Sequence, residues 1–164
     1  MVTFRTYRTQ DSPEVRDLFA RGLMDFATGY ETHIARYIQQ SLDDDLDDID
    51  VHYLDSPANH FWVAELDGEV KGIVGLQWRS DEEAELRRMS VASDARRQGI
   101  GLGLLETVEA FCREMGHKRI RLTTVTLLVA AIAMYQRFGF RLVGEESYGQ
   151  ISAQHYVKEL EPLP

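Results

Sequence analysis

Residues 84–116 constrain the fold more than any other stretch, because three structural signals follow one another there. Apolar residues at Leu86, Met89 and Val91 predict a strand, and an apolar helical pattern begins shortly after it. The basic turn between them holds three glycines, Gly99, Gly101 and Gly103. A helix N-terminus offers unpaired N–H groups and the positive end of a dipole, and glycine lets a phosphate approach the backbone. The stretch therefore predicts a site for a phosphorylated ligand.

Two common phosphate-binding motifs do not fit this turn. A dinucleotide-binding fingerprint that starts at Gly99 and Gly101 needs a third glycine where the chain has Leu104. A P-loop needs Lys and then Ser or Thr after its last glycine, but Leu102 follows Gly101. The sequence therefore excludes both nucleotide-binding interpretations.

Length and local composition predict one domain over residues 1–164, since this length allows one full hydrophobic core but not two ordinary ones. The longest apolar run, residues 127–135, is too short to cross a bilayer, and the N-terminus lacks the apolar core of a signal peptide. We therefore expect a cytoplasmic protein that does not associate with membranes. Cys112 is the only cysteine, which excludes an internal disulfide and a multi-cysteine zinc site. Its apolar helical spacing favours a buried structural thiol, and we expect no metal.

The charge is distributed unevenly along the chain. Residues 85–121 carry eight basic and five acidic side chains, which gives a net charge of +3. The other residues carry ten basic and 22 acidic side chains, a net charge of -12, so the whole chain has a net charge of -9. A mostly acidic surface repels phosphates, so nucleic acid is not an expected partner. Six aspartates in residues 43–50 predict either a solvated helix face or an electrostatic funnel for a cationic amine, and the pattern itself does not decide.

Periodicity predicts an α/β fold. Strands are expected at residues 2–8, 61–66, 69–78, 84–91, 120–124, 140–145 and 154–160, and helices after Asp11, at 34–49, after the glycine turn and at 130–138. Asp11 and Glu14 form a predicted capping box, and Asp67-Gly68 forms a hairpin turn. Hairpins give antiparallel pairing and the strand–helix–strand unit gives parallel pairing. We expect a mostly antiparallel mixed sheet of about six to seven strands, flanked by about four helices.

Two motifs together resemble the GNAT superfamily of acyl-CoA N-acyltransferases. Arg96-Arg97-Gln98-Gly99-Ile100-Gly101 fits the superfamily's pyrophosphate motif Arg/Gln-x-x-Gly-x-Gly/Ala. Residues 131–140, which read Ala-Ile-Ala-Met-Tyr-Gln-Arg-Phe-Gly-Phe, are similar to its Ala-x-x-Leu-Tyr-x-x-x-Gly-Phe segment. The motifs have the usual separation, and the resemblance covers essentially the whole chain. It implies a single GNAT-like domain that uses acetyl-CoA as co-substrate.

The resemblance also implies a set of CoA-binding residues. The backbone from Gln98 to Gly103 would hold the pyrophosphate, beside the charges of Arg96 and Arg97. The backbone of residues 89–91 would pair with the pantetheine arm, and one of its N–H groups would polarise the thioester carbonyl. Relatives often carry a further polar residue, and Thr126 is the candidate here. The full set is Met89, Ser90, Val91, Arg96, Arg97, Gln98, Gly99, Ile100, Gly101, Leu102, Gly103 and Thr126.

Tyr135 and Glu85 are the catalytic candidates. By spacing alone, Tyr135 fits a core tyrosine, but the flanking Phe138-Gly139-Phe140 favours the superfamily's general-acid position, where the hydroxyl protonates the departing CoA thiolate. Glu85 lies eleven residues before Arg96, where some relatives have a catalytic glutamate. An exposed carboxylate at a strand edge explains Glu85 equally well, and a water relay could replace it as base.

The expected function is transfer of acetyl from acetyl-CoA to a primary amine, a small α-amino compound, by direct attack. A protein or peptide N-terminus or a lysine is the alternative acceptor, and a non-catalytic acyl-CoA-binding regulatory domain is the second alternative. Dimers are common among similar proteins, so a homodimer is a further expectation.

Several segments are similar to the membrane-anchored cysteine-S-conjugate N-acetyltransferase branch of this superfamily. They are Phe19-Ala20-Arg21-Gly22, residues 48–54, Phe61-Trp62-Val63, Arg88-Met89-Ser90-Val91 and residues 123–135. That branch inserts a hydrophobic anchor where this chain has residues 34–46. The likeness favours a small α-amino acceptor, and the missing anchor allows the location and substrate to differ.

Overall fold

The computed structural model describes residues 1–149 and 151–163, which form one seven-stranded sheet with four flanking α-helices. The strands are β1 (Val2–Thr6), β2 (His60–Leu66), β3 (Glu69–Trp78), β4 (Glu83–Val91), β5 (Arg119–Val125), β6 (Arg141–Tyr148) and β7 (Ile151–Glu159). The helices are α1 (Ser12–Met24), α2 (Glu31–Asp43), α3 (Ile100–Glu114) and α4 (Val129–Phe138). The predicted fold class is confirmed.

The sheet opens at its centre. Its strand order is β1-β2-β3-β4-β5-β7-β6, and within the described sheet only β4 and β5 are parallel. That parallel pairing covers Glu83 to Glu85 against Arg119 to Arg121. Beyond it, β4 continues to pair with β3, while β5 pairs with β7. The two central strands therefore separate toward their C-terminal ends, which leaves one side of β4 without a partner strand.

Each face of the sheet packs against its own pair of helices. Leu104, Val108 and Cys112 of α3 are buried with Leu86 and Ile120 of the sheet. On the other face, residues of α1 and α2 such as Val15, Phe19 and Ile34 pack with Phe61 and Ile73. None of the helices among the described residues combines the length and the hydropathy needed to cross a membrane.

The second predicted helix is shorter than expected. We predicted it over residues 34–49, but α2 ends at Asp43, and a 3₁₀ turn (Asp45–Asp47) and a π-helical turn (Asp50–Leu54) follow. The chain leaves helical geometry at Asp44, with φ -98° and ψ -116°, and Asp45 is then buried beside Arg88. The expectation of a uniformly solvated or funnel-like aspartate run is therefore wrong for Asp45, whereas Asp43, Asp44, Asp47 and Asp48 are exposed.

Asp11 occupies the N-cap position of α1, as predicted, but its side chain makes no capping hydrogen bond. Its carboxylate accepts hydrogen bonds from the Arg5 guanidinium at 2.8 and 2.9 Å and from the Arg8 N–H at 2.8 Å. Glu14, the predicted partner in the capping box, instead accepts a bond from the Val70 N–H at 3.3 Å. A charged guanidinium from β1 is a stronger partner for a buried carboxylate than a neutral backbone N–H.

Candidate functional site

A cleft of about 800 Å³ lies where β4 and β5 separate. Its walls come from α1, the end of β4, the start of α3, and α4. Lining residues include Phe19, Gly22 and Phe26 of α1; Met89, Ser90 and Val91 of β4; Gly99, Ile100 and Gly101 at the start of α3; and Met134, Tyr135 and Arg137 of α4. The cleft therefore joins the two sequence motifs, which are more than thirty residues apart in the chain.

The start of α3 forms one wall with unpaired backbone donors. Gly99 precedes the helix with φ +79°, a conformation that glycine adopts without strain. Ile100, Gly101 and Leu102 form the first turn, where N–H groups have no acceptor in the helix. That turn contains no acidic side chain. The N–H groups and the dipole together make this end of α3 suitable for an anion.

Gly103 has a different role from the one we expected. Its N–H donates to the Gly99 carbonyl at 3.0 Å, so it is not available to a phosphate. A Cβ on Gly103 would overlap the ring of Phe4 from β1. The assignment of Gly103 to the cofactor site is therefore corrected: the position needs glycine because α3 packs closely against Phe4.

Gly103→Ala should destabilise the protein by about 1–3 kcal/mol, the usual range for overpacking, because Phe4 must move to admit the methyl group. Urea unfolding measures this change. In a Phe4→Ala background the same substitution should be neutral or stabilising, since alanine is the better helix former. The Kd for acetyl-CoA should stay within about twofold of the wild-type value. This is well below the tenfold change in Kd that corresponds to about 1.4 kcal/mol. A large loss of affinity for acetyl-CoA without a loss of stability would show that Gly103 belongs to the binding site.

Three arginines line the cleft near this anion-binding end. Arg96 and Arg97 were expected from the sequence, and both are exposed. The Arg96 guanidinium lies 3.6 Å from the Asp25 carboxylate and 4.9 Å from the centre of the Phe26 ring. Arg137 of α4 also lines the cleft and was not predicted, because side chains two residues apart on a helix do not usually share a face. These charges add to the field of the α3 N-terminus.

The end of β4 supplies an edge of free backbone. Met89, Ser90 and Val91 line the cleft and have β3 as a partner on one side only. Gly22 permits α1 to lie against this edge, because a Cβ there would overlap the Ser90 hydroxyl. The sequence pointed to Gly22 only as part of a segment similar to one branch of the superfamily, and its contact with β4 was not predicted, since nothing local in the chain indicates which strand a helix will contact.

Tyr135 is buried in the core and also lines the cleft, with 5% of its surface exposed. Its ring packs edge-on against Phe140, with centroids 5.9 Å apart. Among the described residues its hydroxyl has no hydrogen-bond partner, and burial raises the pKa of Tyr135 well above its ordinary value. The hydroxyl therefore stays protonated at neutral pH and is free to donate its proton to a ligand.

Glu85 lies outside the residues that line the cleft. It is on the opposite face of β4 from the buried Leu86, at the last residue pair that β4 shares with β5. Its carboxylate contacts the guanidinium of Arg79 and lies 3.6 Å from that of Arg121 and 3.8 Å from that of Arg87. These contacts make Glu85 the centre of an arginine cluster below the opening.

Two other expected positions also differ from the cleft lining. Gln98 and Thr126 are not among the described residues that form it, and the Thr126 N–H instead donates to the carbonyl of Ser152 in β7 at 3.0 Å. Cys112, by contrast, is buried on α3 as predicted, and burial raises the pKa of its thiol to about 12. A thiol of this kind is not a nucleophile at neutral pH.

Comparison with known proteins shows which family this chain resembles. Residues 25–140 match the model of the acetyltransferase (GNAT) family. The chain is 34% identical to human N-acetyltransferase 8 over 136 residues, which are 78% of this chain and 60% of that protein. It is 40% identical to N-acetylaspartate synthetase of Danio rerio over 113 residues, 68% of this chain and 40% of that protein. The chain thus spans about half the length of these curated relatives.

Solved structures support the same fold. A GNAT-family acetyltransferase from Staphylococcus aureus Mu50 superposes with a TM-score of 0.80 at 22% identity, covering 98% of this chain and 100% of that one. The PaiA N-acetyltransferase of Thermoplasma acidophilum, determined in complex with coenzyme A, gives 0.81 at 20% identity, covering 98% and 99%.

Proposed function

The chain belongs to the GNAT family of acetyltransferases, and we propose that it transfers the acetyl group of acetyl-CoA to a primary amine. One observation carries the proposal: a single cleft brings together the unpaired N–H groups of α3, the free edge of β4 and the protonated hydroxyl of Tyr135. These are an anion site, a binding edge for an extended chain and a proton donor. Residues 1–164 would act as one catalytic unit.

The donor would lie along the cleft in a defined direction. The N–H groups of Gly99 to Leu102 would hold the pyrophosphate, with Arg96, Arg97 and Arg137 supplying positive charge. The amide-bearing pantetheine arm would pair with the backbone of residues 89–91 as an added strand. This places the thioester in the opening between β4 and β5, where an N–H of the β4 edge would polarise its carbonyl.

Chemistry would proceed by direct attack, without an acyl-enzyme, because the buried Cys112 thiol cannot serve as nucleophile. The amine nitrogen bonds to the thioester carbonyl carbon, and the carbon–sulfur bond then breaks. The sulfur takes the proton of the Tyr135 hydroxyl, which solvent later restores. The proton lost by the amine passes to Glu85 through water, or to water alone, because Glu85 lies outside the cleft lining and is surrounded by arginines.

The acceptor in this proposal is a small α-amino compound. Removing a proton at pH 7 costs about 1 kcal/mol for the α-amine of a peptide N-terminus, with a pKa of about 7.8, and about 4.6 kcal/mol for a lysine amine, with a pKa of about 10.4. The α-carboxylate of a free amino acid raises the pKa of its amine, so its cost lies between these two values. Because the described residues that line the cleft include no carboxylate or imidazole, the site favours an α-amine over a lysine amine. The name of the Danio rerio relative, N-acetylaspartate synthetase, supports the same class of acceptor.

An acceptor screen tests this proposal. Purified protein would be given acetyl-CoA with L-aspartate, other amino acids, cysteine S-conjugates, polyamines, or peptides with either a free N-terminus or an internal lysine, and CoA release would be recorded. We expect a small α-amino compound to have a kcat/KM at least about tenfold above every lysine peptide, given the difference in deprotonation cost. Preference for a peptide would establish the alternative acceptor. Binding of acetyl-CoA without turnover on any amine would favour a regulatory domain.

A further inference from the structure

Arg88 has an unusual backbone conformation next to the proposed thioester site. Its φ is +57°, in the left-handed region that arginine rarely adopts. The pairing of β3 with β4 shifts here from Gly75 opposite Arg87 to Ile73 opposite Ser90. Two residues of β4, Arg88 and Met89, therefore lie across from one residue of β3. This is a β-bulge, which changes the direction of the strand and of the N–H groups that follow.

The side chain of Arg88 is fixed by a buried ion pair with Asp45. Only 6% of the Arg88 side chain and 3% of the Asp45 side chain are exposed. The Arg88 Nε and Nη2 atoms donate to the two Asp45 oxygens at 3.0 and 2.6 Å. Nη1 donates to the Tyr37 hydroxyl at 2.9 Å and to Ser41 Oγ at 3.0 Å. The donors of Arg88 are thus directed to the region of α2 and the turn after it.

The carboxylate of Asp45 is equally constrained. Burial would raise the pKa of Asp45, but hydrogen bonds from Arg88 and Tyr53 and the Arg88 charge hold it below its ordinary value. The guanidinium also lies 5.4 Å from the centre of the Phe19 ring, which lines the cleft. The pair therefore connects the acidic segment after α2 to the bulge and to the cleft wall.

The position of the pair explains how the unfavourable φ of Arg88 is maintained. A strained backbone angle persists where surrounding contacts determine it. If the side chain were released, β4 could return to regular pairing, and a one-residue shift would turn the following groups to the other face of the sheet. Met89, Ser90 and Val91 are those following residues, and they form the free edge at the cleft.

We propose that the Asp45–Arg88 ion pair is a positioning element for the thioester: it holds the β4 bulge in the geometry that directs an N–H of the β4 edge at the carbonyl oxygen. Neither side chain contacts the reacting atoms in this role. The inference rests on the proposed function, because it needs acetyl-CoA in the cleft. The proposal gives a role to Asp45, the buried aspartate within residues 43–50, that the net charge of this segment does not explain.

Infrared spectroscopy of acetyl-CoA labelled at its carbonyl carbon tests the role without any acceptor. A hydrogen bond to the carbonyl lowers its stretching frequency, so the band of wild-type-bound ligand should lie below that of free ligand. Arg88→Lys, which loses the bidentate contact, should lose at least half of this shift. With the best acceptor of the screen, kcat should fall about tenfold or more, since oxyanion donors are worth 100-fold or more. The acetyl-CoA Kd should change by less than about threefold.

Arg5→Lys is the matched control. Arg5 forms a bidentate pair with the buried Asp11, at 2.8 and 2.9 Å, outside the cleft lining. It should lower thermal stability as Arg88→Lys does, yet leave both the infrared band and kcat unchanged. Tyr37→Phe removes one bond to Arg88 at a half-exposed side chain and should fold normally with an intermediate band shift.

The outcomes separate this inference from the proposed function. If Arg88→Lys and Tyr37→Phe both leave the band and kcat at wild-type values, the positioning role is wrong while the proposed function stands. A band change of the same size in Arg5→Lys would also overturn the role, because it would then reflect general loosening. If wild-type protein does not bind acetyl-CoA, the proposed function fails first and this inference fails with it.

Discussion

Tyr135→Phe should lower kcat by about 100-fold or more while leaving the acetyl-CoA Kd nearly unchanged. General acid catalysis contributes about 10²–10⁴ to rates, and without the hydroxyl the sulfur must leave as a thiolate. The substitution keeps the ring that packs against Phe140. The hydroxyl that it removes lies at the cleft and has no hydrogen-bond partner in the described part of the chain, so stability should change little. Steady-state kinetics, calorimetry and thermal unfolding measure the three quantities.

Tyr156→Phe is the matched control for this prediction. Tyr156 is a buried tyrosine in the same core, and its hydroxyl donates to Gln154 at 2.8 Å. Loss of this hydrogen bond should lower the free energy of unfolding by about 1 kcal/mol. The kcat should stay within about twofold of the wild-type value, well below the tenfold change that corresponds to about 1.4 kcal/mol. Equal kcat values for wild-type protein and Tyr135→Phe would remove Tyr135 from the mechanism.

Gly99→Glu should weaken acetyl-CoA binding by about 100-fold or more. Gly99 lines the cleft at the N-terminus of α3, and a Cβ there meets no described atom within 4 Å, so the substitution strains the backbone but creates no overlap at Cβ. A carboxylate beside the pyrophosphate site adds repulsion between like charges, which costs several kcal/mol at an interface. It also competes for the N–H groups that the phosphate needs. Isothermal calorimetry with acetyl-CoA measures the loss.

Gly116→Glu controls for the backbone effect of that substitution. Gly116 follows the other end of α3 with φ +83°, close to the +79° of Gly99, and a Cβ there also meets no atom within 4 Å. Both variants should lose similar stability from a left-handed non-glycine residue. Gly116→Glu should bind acetyl-CoA normally. Normal affinity in Gly99→Glu would show that the phosphate site is not at the start of α3.

Patterns of neighbouring residues were sufficient to predict much of the fold. Asp67 and Gly68 adopt the positive φ angles, +52° and +83°, that the hairpin prediction required. Gly116 and Gly139 follow the ends of α3 and α4 with φ +83° and +112°, as expected of helix-terminating glycines. In each case the geometry depends on one or two neighbouring residues, so a pattern in the chain is enough to predict it.

The features missed by the sequence depend on contacts between distant residues. Asp45 is buried because Arg88, 43 positions away, lies beside it. Asp11 prefers Arg5 of β1 to the end of its own helix, and Gly103 is small because Phe4 occupies the adjacent space. Charge and glycine patterns identify such positions, but not their partners, because the topology of the sheet determines which residues meet.

The separation of β4 from β5 is also a product of topology. The sequence predicts both strands and the parallel unit that contains them, but not that the parallel pairing ends at Glu85 and Arg121. The cleft exists because the pairing ends there. Motif residues from α3 and α4 therefore meet at an opening that no local pattern encodes.

The most direct test of the account is the stoichiometry of one reaction. Wild-type protein would be incubated with acetyl-CoA and the best acceptor of the screen, and both the released CoA and the acetylated amine would be quantified by mass spectrometry. We expect equal amounts of the two products, with both strongly reduced by Tyr135→Phe and, at acetyl-CoA concentrations below the wild-type Kd, by Gly99→Glu. Release of CoA without an acetylated amine, or bound acetyl-CoA with no product on any amine of the panel, would contradict it.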